Sequence, residues 1–266
     1  MTDPSDGRRV PAELQPYLDE LVRRTRAVCG PRLTGVYAVG SVALGDYRHG
    51  RSDVDVAVVV DPALPAGALR ELAAELAHPA LPCPATGLEL VVYGTDVAGG
   101  PAGRAGYLLD LNTGPLLPER ASFDPAGATA FWYVVDRAVA HQSGLALLGR
   151  PAPEVIAAPT RADVLAALAA AVREHAEGEG HLPDNRVLNG CRAAAYCRTG
   201  RWLPKRRAAQ ETAAAEPAFR ALIDAALDSY DRPRAEARPL PPAEVRALLD
   251  RVGDLVAQTA AGDAPR

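Results

Sequence analysis

Lysine is almost missing from this chain. Among 29 basic side chains in 266 residues there is one, Lys205, and the rest are arginine. The Ala/Arg/Pro-rich composition has the look of a general codon bias, so a lysine that survives it invites a local explanation. No apolar run approaches the roughly 20 residues that a bilayer-spanning helix needs, and none is expected. The opening "MTDPSDGRRVPAEL" has no apolar stretch after its charges, which argues against a secretory signal and makes the cytoplasm the expected compartment. The four cysteines, Cys29, Cys83, Cys191 and Cys197, match neither a zinc ribbon nor a Cys-x-x-Cys redox site, and reduced, partly buried thiols are expected. A net charge of −4 argues against a nucleic-acid polyanion as the main partner. No repeat of fixed period is present.

What is there is the balance of a soluble globular protein, 48% hydrophobic and 23% charged. The length suits one large domain or two of ordinary size. Residues 12–28 carry Leu14, Leu18, Leu21 and Val22 near helical spacing. "LTGVYAVGS", "DVDVAVVV", "TGLELVVYG" and "GYLLDLN" read as strands, with a turn and about one helical turn after the first and a helix over 65–78. From residue 126 the character changes: "GATAFWYVVDRAVAHQSGLALLG" and five later segments read as helices separated by Gly, Pro or Asn. The linker "RPAPEVIAAP" then divides the chain. The fold expected is α+β, with a mixed-sheet domain over 1–157 and an all-α helical bundle over 158–266.

Chemistry concentrates in "GSVALGDYRHGRSDVDVAVVV", Gly40 to Val60. Residues i and i+2 of a strand share a face, so Asp53 and Asp55 project together about 7 Å apart. Two such carboxylates repel unless a cation lies by them, and hard oxygen ligands suit Mg²⁺, which takes one or two carboxylates plus substrate phosphates. Gly40 lets backbone approach a phosphate, and Ser41 offers a hydroxyl and an N–H to the same anion. Glu89, mid-strand between Leu88 and Leu90, reaches the metal if its strand pairs beside the Asp strand, either as a further ligand or as a general base. Taken singly, Gly-Ser is a turn, Asp-x-Asp a solvated strand end and Glu89 an exposed strand residue. Lys205 follows Pro204 at a helix start, where its ammonium and the free N–H groups can both meet phosphate.

Gly-Ser, eleven residues, then Asp-x-Asp on an apolar strand resembles the signature of the polymerase-β-type nucleotidyltransferases. "VVDRAVAHQSGLALLGRP", "NRVLNGCRAAAYCRTGRWLPKRRAA" and "DAALDSYDRP" are similar to successive segments of the aminoglycoside 3''-nucleotidyltransferases, the streptomycin/spectinomycin adenylyltransferases. That resemblance implies an N-terminal nucleotidyltransferase domain and a C-terminal helical domain closing on MgATP and an antibiotic. It implies metal-binding carboxylates at Asp53, Asp55 and Glu89, the last being the catalytic base. It further implies ATP contacts at Ser41, Lys205 and Tyr230, with Arg192 matching the arginine of the family's "CR" helix. Departures lie on the acceptor side: no aromatic stands near Leu111 or Asn112, where relatives carry a tryptophan, and "AAQETAA" replaces their Ala-Asp-Trp-Ala. Asp184, with Glu179 behind it, matches the acid offered to the drug's amines, and Asp110 and Asn112 complete the expected acceptor residues.

The function expected is Mg²⁺-dependent transfer of AMP from ATP to a hydroxyl of an aminoglycoside or aminocyclitol, by a monomer using two metal ions and no nucleic acid or membrane. Two alternatives stay open. One is a nucleotidyltransferase acting on another small molecule or on a protein hydroxyl; the other is a nucleotide-binding regulatory protein whose acceptor site has decayed.

Overall fold

The computed structural model describes residues 10–100, 103–177 and 181–263. The chain packs as two units, Met1–Thr129 with Asp136–Pro159, and Ala130–Val135 with Thr160–Arg266. The first runs through α1 (Gln15–Cys29), β1 (Leu33–Ala38), the single turn α2 (Gly40–Leu44), β2 (Val54–Val60), α3 (Ala66–Leu76), β3 (Leu88–Gly94), α4 (Thr95–Ala98), β4 (Tyr107–Thr113) and β5 (Arg120–Ser122). Then come α5 (Ala130–Ser143), whose first six residues pack with the second unit, β6 (Leu145–Leu148) and α6 (Ala152–Val155).

The six strands form one mixed sheet in the order β5-β4-β3-β2-β1-β6. Only β2 and β3 run parallel, and α3 supplies the crossover that a parallel pair requires. Side chains alternate between the faces with a period of two. Val54, Val56, Val58 and Val60 of β2, with Leu88, Leu90 and Val92 of β3, bury on one face against Leu18 and Leu21 of α1 and Leu72 and Leu76 of α3. Each such side chain contributes about 1.5–3 kcal/mol. The same alternation sends Asp55, Glu89 and Asn112 to the opposite face, so a well-anchored sheet carries acid without losing its register.

Residues 127–149, expected to be helical throughout, are helical only over Ala130–Ser143. At Gly144 the backbone turns extended (φ −55°, ψ 128°), and Leu145–Leu148 adds to the open edge of β1 as an antiparallel strand. Four apolar residues are too few to tell helix from strand by periodicity, and the available edge decides. The linker also holds the helical turn α6, and the short edge strand β5 went unanticipated.

The second unit contains α7 (Arg161–Glu177), α8 (Pro183–Thr199), α9 (Lys205–Ala215), α10 (Arg220–Tyr230) and α11 (Pro242–Gly262). α8 is central, packing on α7, α9, α10 and α11. Its small residues allow this: Ala193, Ala194 and Ala195 are all 1% exposed, and a Cβ on Gly190 would stand 2.8 Å from Leu249 Cδ2 of α11. The four cysteines are buried and unbridged. Among the described residues, no helix is long and apolar enough to cross a membrane.

Candidate active site

Register across the sheet lines up the acidic face. Asp55 of β2 stands opposite Glu89 of β3, and Glu89 stands opposite Asn112 of β4. Neighbouring strands lie about 4.8 Å apart, so these three side chains share one row. Asp110, opposite Val91, lies next to that row on the same face, and Asp53, just ahead of β2, is near enough for its charge to act on Glu89. The strands have thus brought together the carboxylates that the sequence grouped. Burial, first, and then the negative charges of Asp53, Asp55, Asp136 and Asp110 push the Glu89 carboxyl well above the usual carboxylate range. Asp110 itself is 4% exposed and forms an ion pair with Arg120, Nη2 to Oδ2 2.7 Å.

Gly40 and Ser41 flank the row from α2. Gly40 has φ +54°, a left-handed conformation, and a Cβ there would lie 1.8 Å from Asp55 Oδ2. The Val39 N–H donates to the Asp55 carbonyl at 2.9 Å, which fastens this turn to β2. Ser41 Oγ is buried with no hydrogen-bond partner, a cost that a ligand oxygen would remove.

The donor set suits a divalent cation: Asp53 and Asp55 are hard oxygen donors two residues apart, and the Gly40 cradle leaves the Asp55 carboxylate its space. Among the described residues, no three His, Cys, Asp or Glu side chains form a ready-made cage, including the expected trio of Asp53, Asp55 and Glu89. One or two carboxylates completed by phosphate oxygens is the usual Mg²⁺ arrangement, and this face matches it.

In the helical unit, Lys205 is the first residue of α9, after Pro204, as its sequence position indicated. Its Nζ donates to Asn185 Oδ1 at 3.1 Å and sits 5.2 Å from the centroid of the Tyr230 ring. Tyr230 is 3% exposed, so its ring serves as a platform for the ammonium. The Arg192 guanidinium lies over the Trp202 ring, 5.3 Å from its centroid.

Asp184 corrects the reading of the acceptor side. It is fully buried; Oδ2 accepts from Ser229 Oγ at 2.5 Å and Oδ1 from the Asn185 N–H at 2.7 Å. A carboxylate so enclosed presents no oxygen to a drug's amine; it joins the start of α8 to the end of α10. Glu179 lies outside the described residues.

Two features escaped the sequence reading. Asp136, an exposed residue of α5, contributes to the field at Glu89, yet in "VVDRAV" it looks like any solvated helix position. The rings of Trp132, His175 and His181 form a cluster, with His175 and His181 centroids 4.9 Å apart and Trp132 5.6 Å from His175. Burial, then the charges of His181, Arg186 and Lys205, lowers the His175 pKa to about 4.

Comparison with known proteins adds a family. The model of the aminoglycoside adenylyltransferase C-terminal domain matches residues 154–254, and that of the nucleotidyltransferase domain matches residues 22–80. Among solved structures the chain is similar to the spectinomycin adenyltransferase AAD(9) from Enterococcus faecialis, solved with ATP and spectinomycin. That likeness has a TM-score of 0.67 at 16% identity, covering 91% of this chain and 99% of the other. It is an agreement of fold. The Bradyrhizobium diazoefficiens CD-NTase CdnG, in complex with GTP, matches with a TM-score of 0.33 at 17% identity, over 94% of this chain and 85% of that one. No curated protein sequence matches. With a nucleotidyltransferase domain matched in the first half and an aminoglycoside adenylyltransferase domain in the second, the chain belongs to the aminoglycoside nucleotidyltransferase family.

Proposed function

We propose that this nucleotidyltransferase moves AMP from ATP to a hydroxyl of an aminoglycoside or aminocyclitol antibiotic, releasing pyrophosphate. The observation that carries the reading is the row of Asp55, Glu89 and Asn112, two carboxylates beside an amide, with the space for the Asp55 carboxylate kept open by Gly40. Residues 1–157 supply the phosphate and metal chemistry, and residues 158–266 supply Arg192, Lys205 and Tyr230 to the nucleotide. The family match and the fold shared with an ATP-bound spectinomycin adenyltransferase support this assignment. The chain acts as a monomer in the cytoplasm, where ATP is available.

In the reaction, the acceptor oxygen attacks the α-phosphorus, the bond from that phosphorus to the bridging oxygen of the β-phosphate breaks, and pyrophosphate leaves with the electron pair. The hydroxyl proton goes to a Glu89 oxygen. Glu89 serves in its ionised form, taking the proton as the bond to phosphorus forms. Asp53 and Asp55 would hold Mg²⁺, expected as two ions, which would neutralise charge on the triphosphate and on the leaving pyrophosphate. Ser41 Oγ donates to a phosphate oxygen, and the Lys205 ammonium offers its positive charge to the nucleotide. Asn112, beside Glu89 in the row, orients the acceptor hydroxyl, while Asp110, its charge paired with Arg120, borders the face that receives a cationic drug.

Spectinomycin is the first acceptor to try, because Asn112 and not an aromatic stands in the acceptor row. Incubation with MgATP and a panel of aminoglycosides and aminocyclitols should release pyrophosphate only when an acceptor is present, and should raise the drug's mass by one adenylyl group. ATP binding without modification of any drug in the panel would transfer support to a different acceptor or to a regulatory role.

A further inference from the structure

We infer that Asn185 is a positioning residue for the nucleotide, acting through Lys205; the inference rests on the proposed role of Lys205 in gripping ATP. A lysine ammonium ends a flexible four-carbon stem, so a fixed location for its charge requires partners. Asn185 Oδ1 accepts a hydrogen bond from Lys205 Nζ at 3.1 Å, and the Tyr230 ring lies beneath the same ammonium at 5.2 Å. Neither partner carries a negative charge. A carboxylate at 185 would hold the ammonium as firmly while cancelling the field that a triphosphate is to meet, whereas an amide oxygen and a ring face orient it and leave the charge whole.

The backbone around Asn185 is built to keep that amide in place. Asp184 Oδ1 accepts from the Asn185 N–H at 2.7 Å, and Asp184 Oδ2 accepts from Ser229 Oγ at 2.5 Å. Ser229 Oγ in turn accepts from the Arg238 N–H at 2.8 Å. Because Ser229 precedes Tyr230, one buried carboxylate is tied to two partners of the ammonium: the residue after it in sequence, and the residue after the serine it holds. Asp184 is wholly buried and Asn185 is half-buried, which divides the anchor from the group that meets Lys205.

The test is calorimetric titration of MgATP into the full chain and into Asn185→Ala, Asn185→Leu, Lys205→Ala and the Asn185→Ala/Lys205→Ala double variant, with Tm measured for each. The leucine variant keeps volume and removes the acceptor. Both Asn185 variants should weaken MgATP binding by about tenfold, the loss of one hydrogen bond to a charged group. The double variant should bind no more weakly than Lys205→Ala alone, because a residue that acts through lysine has nothing left to position. A merely structural role would lower Tm and would add its penalty in the Lys205→Ala background. Unchanged affinity in both Asn185 variants with Lys205→Ala impaired overturns the positioning role alone, as does an additive double variant. Unchanged affinity in Lys205→Ala overturns the nucleotide role of Lys205 and this inference with it.

Discussion

A Cβ on Gly40 would lie 1.8 Å from Asp55 Oδ2, so the carboxylate occupies the place where any other residue would put its first side-chain atom. Gly40→Ala therefore has to displace Asp55, and it also places alanine at φ +54°, a conformation costing about 1–2 kcal/mol for an L-residue. We expect a folded protein with Tm lowered by several degrees, roughly the effect of that strain on a domain of this size. Turnover should fall by about a hundredfold or more, since small displacements of reacting groups are costly. A Gly40→Ala enzyme with normal turnover would show that Asp55 is not needed where it stands.

Asp53→Asn and Asp55→Asn should each reduce adenylyl transfer by about a thousandfold or more while leaving the far-ultraviolet circular dichroism unchanged. Asp55 lies on the face opposite the valine and leucine core and Asp53 stands just ahead of β2, so neither substitution removes a core side chain. Near-normal turnover in either variant would rule out the metal assignment.

Glu89→Gln separates stability from chemistry. The Glu89 pKa is raised in the folded state, so the folded chain holds this proton more tightly than the unfolded chain does. The stabilisation from that proton is full below the unfolded value of about 4.3 and is lost as pH rises above it. Glutamine keeps the shape without the charge. Ligand-free Glu89→Gln should thus melt at a higher temperature than the parent at pH 7, with the gap closing toward pH 4, while its turnover falls. Equal melting temperatures at pH 7 would contradict the buried, crowded environment assigned to this carboxyl.

His175 has the opposite sign. Its folded pKa of about 4 lies below the ordinary 6.5, so between those values the unfolded chain takes up the proton and the folded chain does not. Stability contributed by the neutral ring is present above pH 6.5 and is lost as pH falls toward 4, by up to about 3 kcal/mol. His175→Gln should flatten that part of the pH–stability curve, measured by urea denaturation from pH 7 to pH 4. A parent-like slope in the variant would place the acid sensitivity elsewhere.

The placement of the strand acids was legible because a strand's period of two is rigid. Once "DVDVAVVV" and "GLELVVY" are strands, Asp53, Asp55 and Glu89 have only two faces to choose between, and the valines and leucines claim one of them. The start of α9 was legible for a similar reason, since Pro204 before Lys205 is a local signal. Asp184 was not. Nothing in its neighbourhood announces that Ser229, 45 residues away, will donate to it, and a polar residue at a helix start reads as solvated until its tertiary partner is known. The Tyr230 ring lies buried beneath Lys205, a contact across 25 residues of chain that no local pattern announces. Leu145–Leu148 became a strand because β1 had an edge to offer, a fact belonging to the sheet as a whole.

The single lysine gives this chain an unusual spectroscopic property. Reductive methylation with isotopically labelled formaldehyde would mark one side chain besides any α-amine, and that side chain sits over an aromatic ring at 5.2 Å. Its methyl resonance would carry the ring current of Tyr230, so one assigned peak would follow the ammonium through each addition of nucleotide and drug, with no engineered label and no competing signal from other lysines.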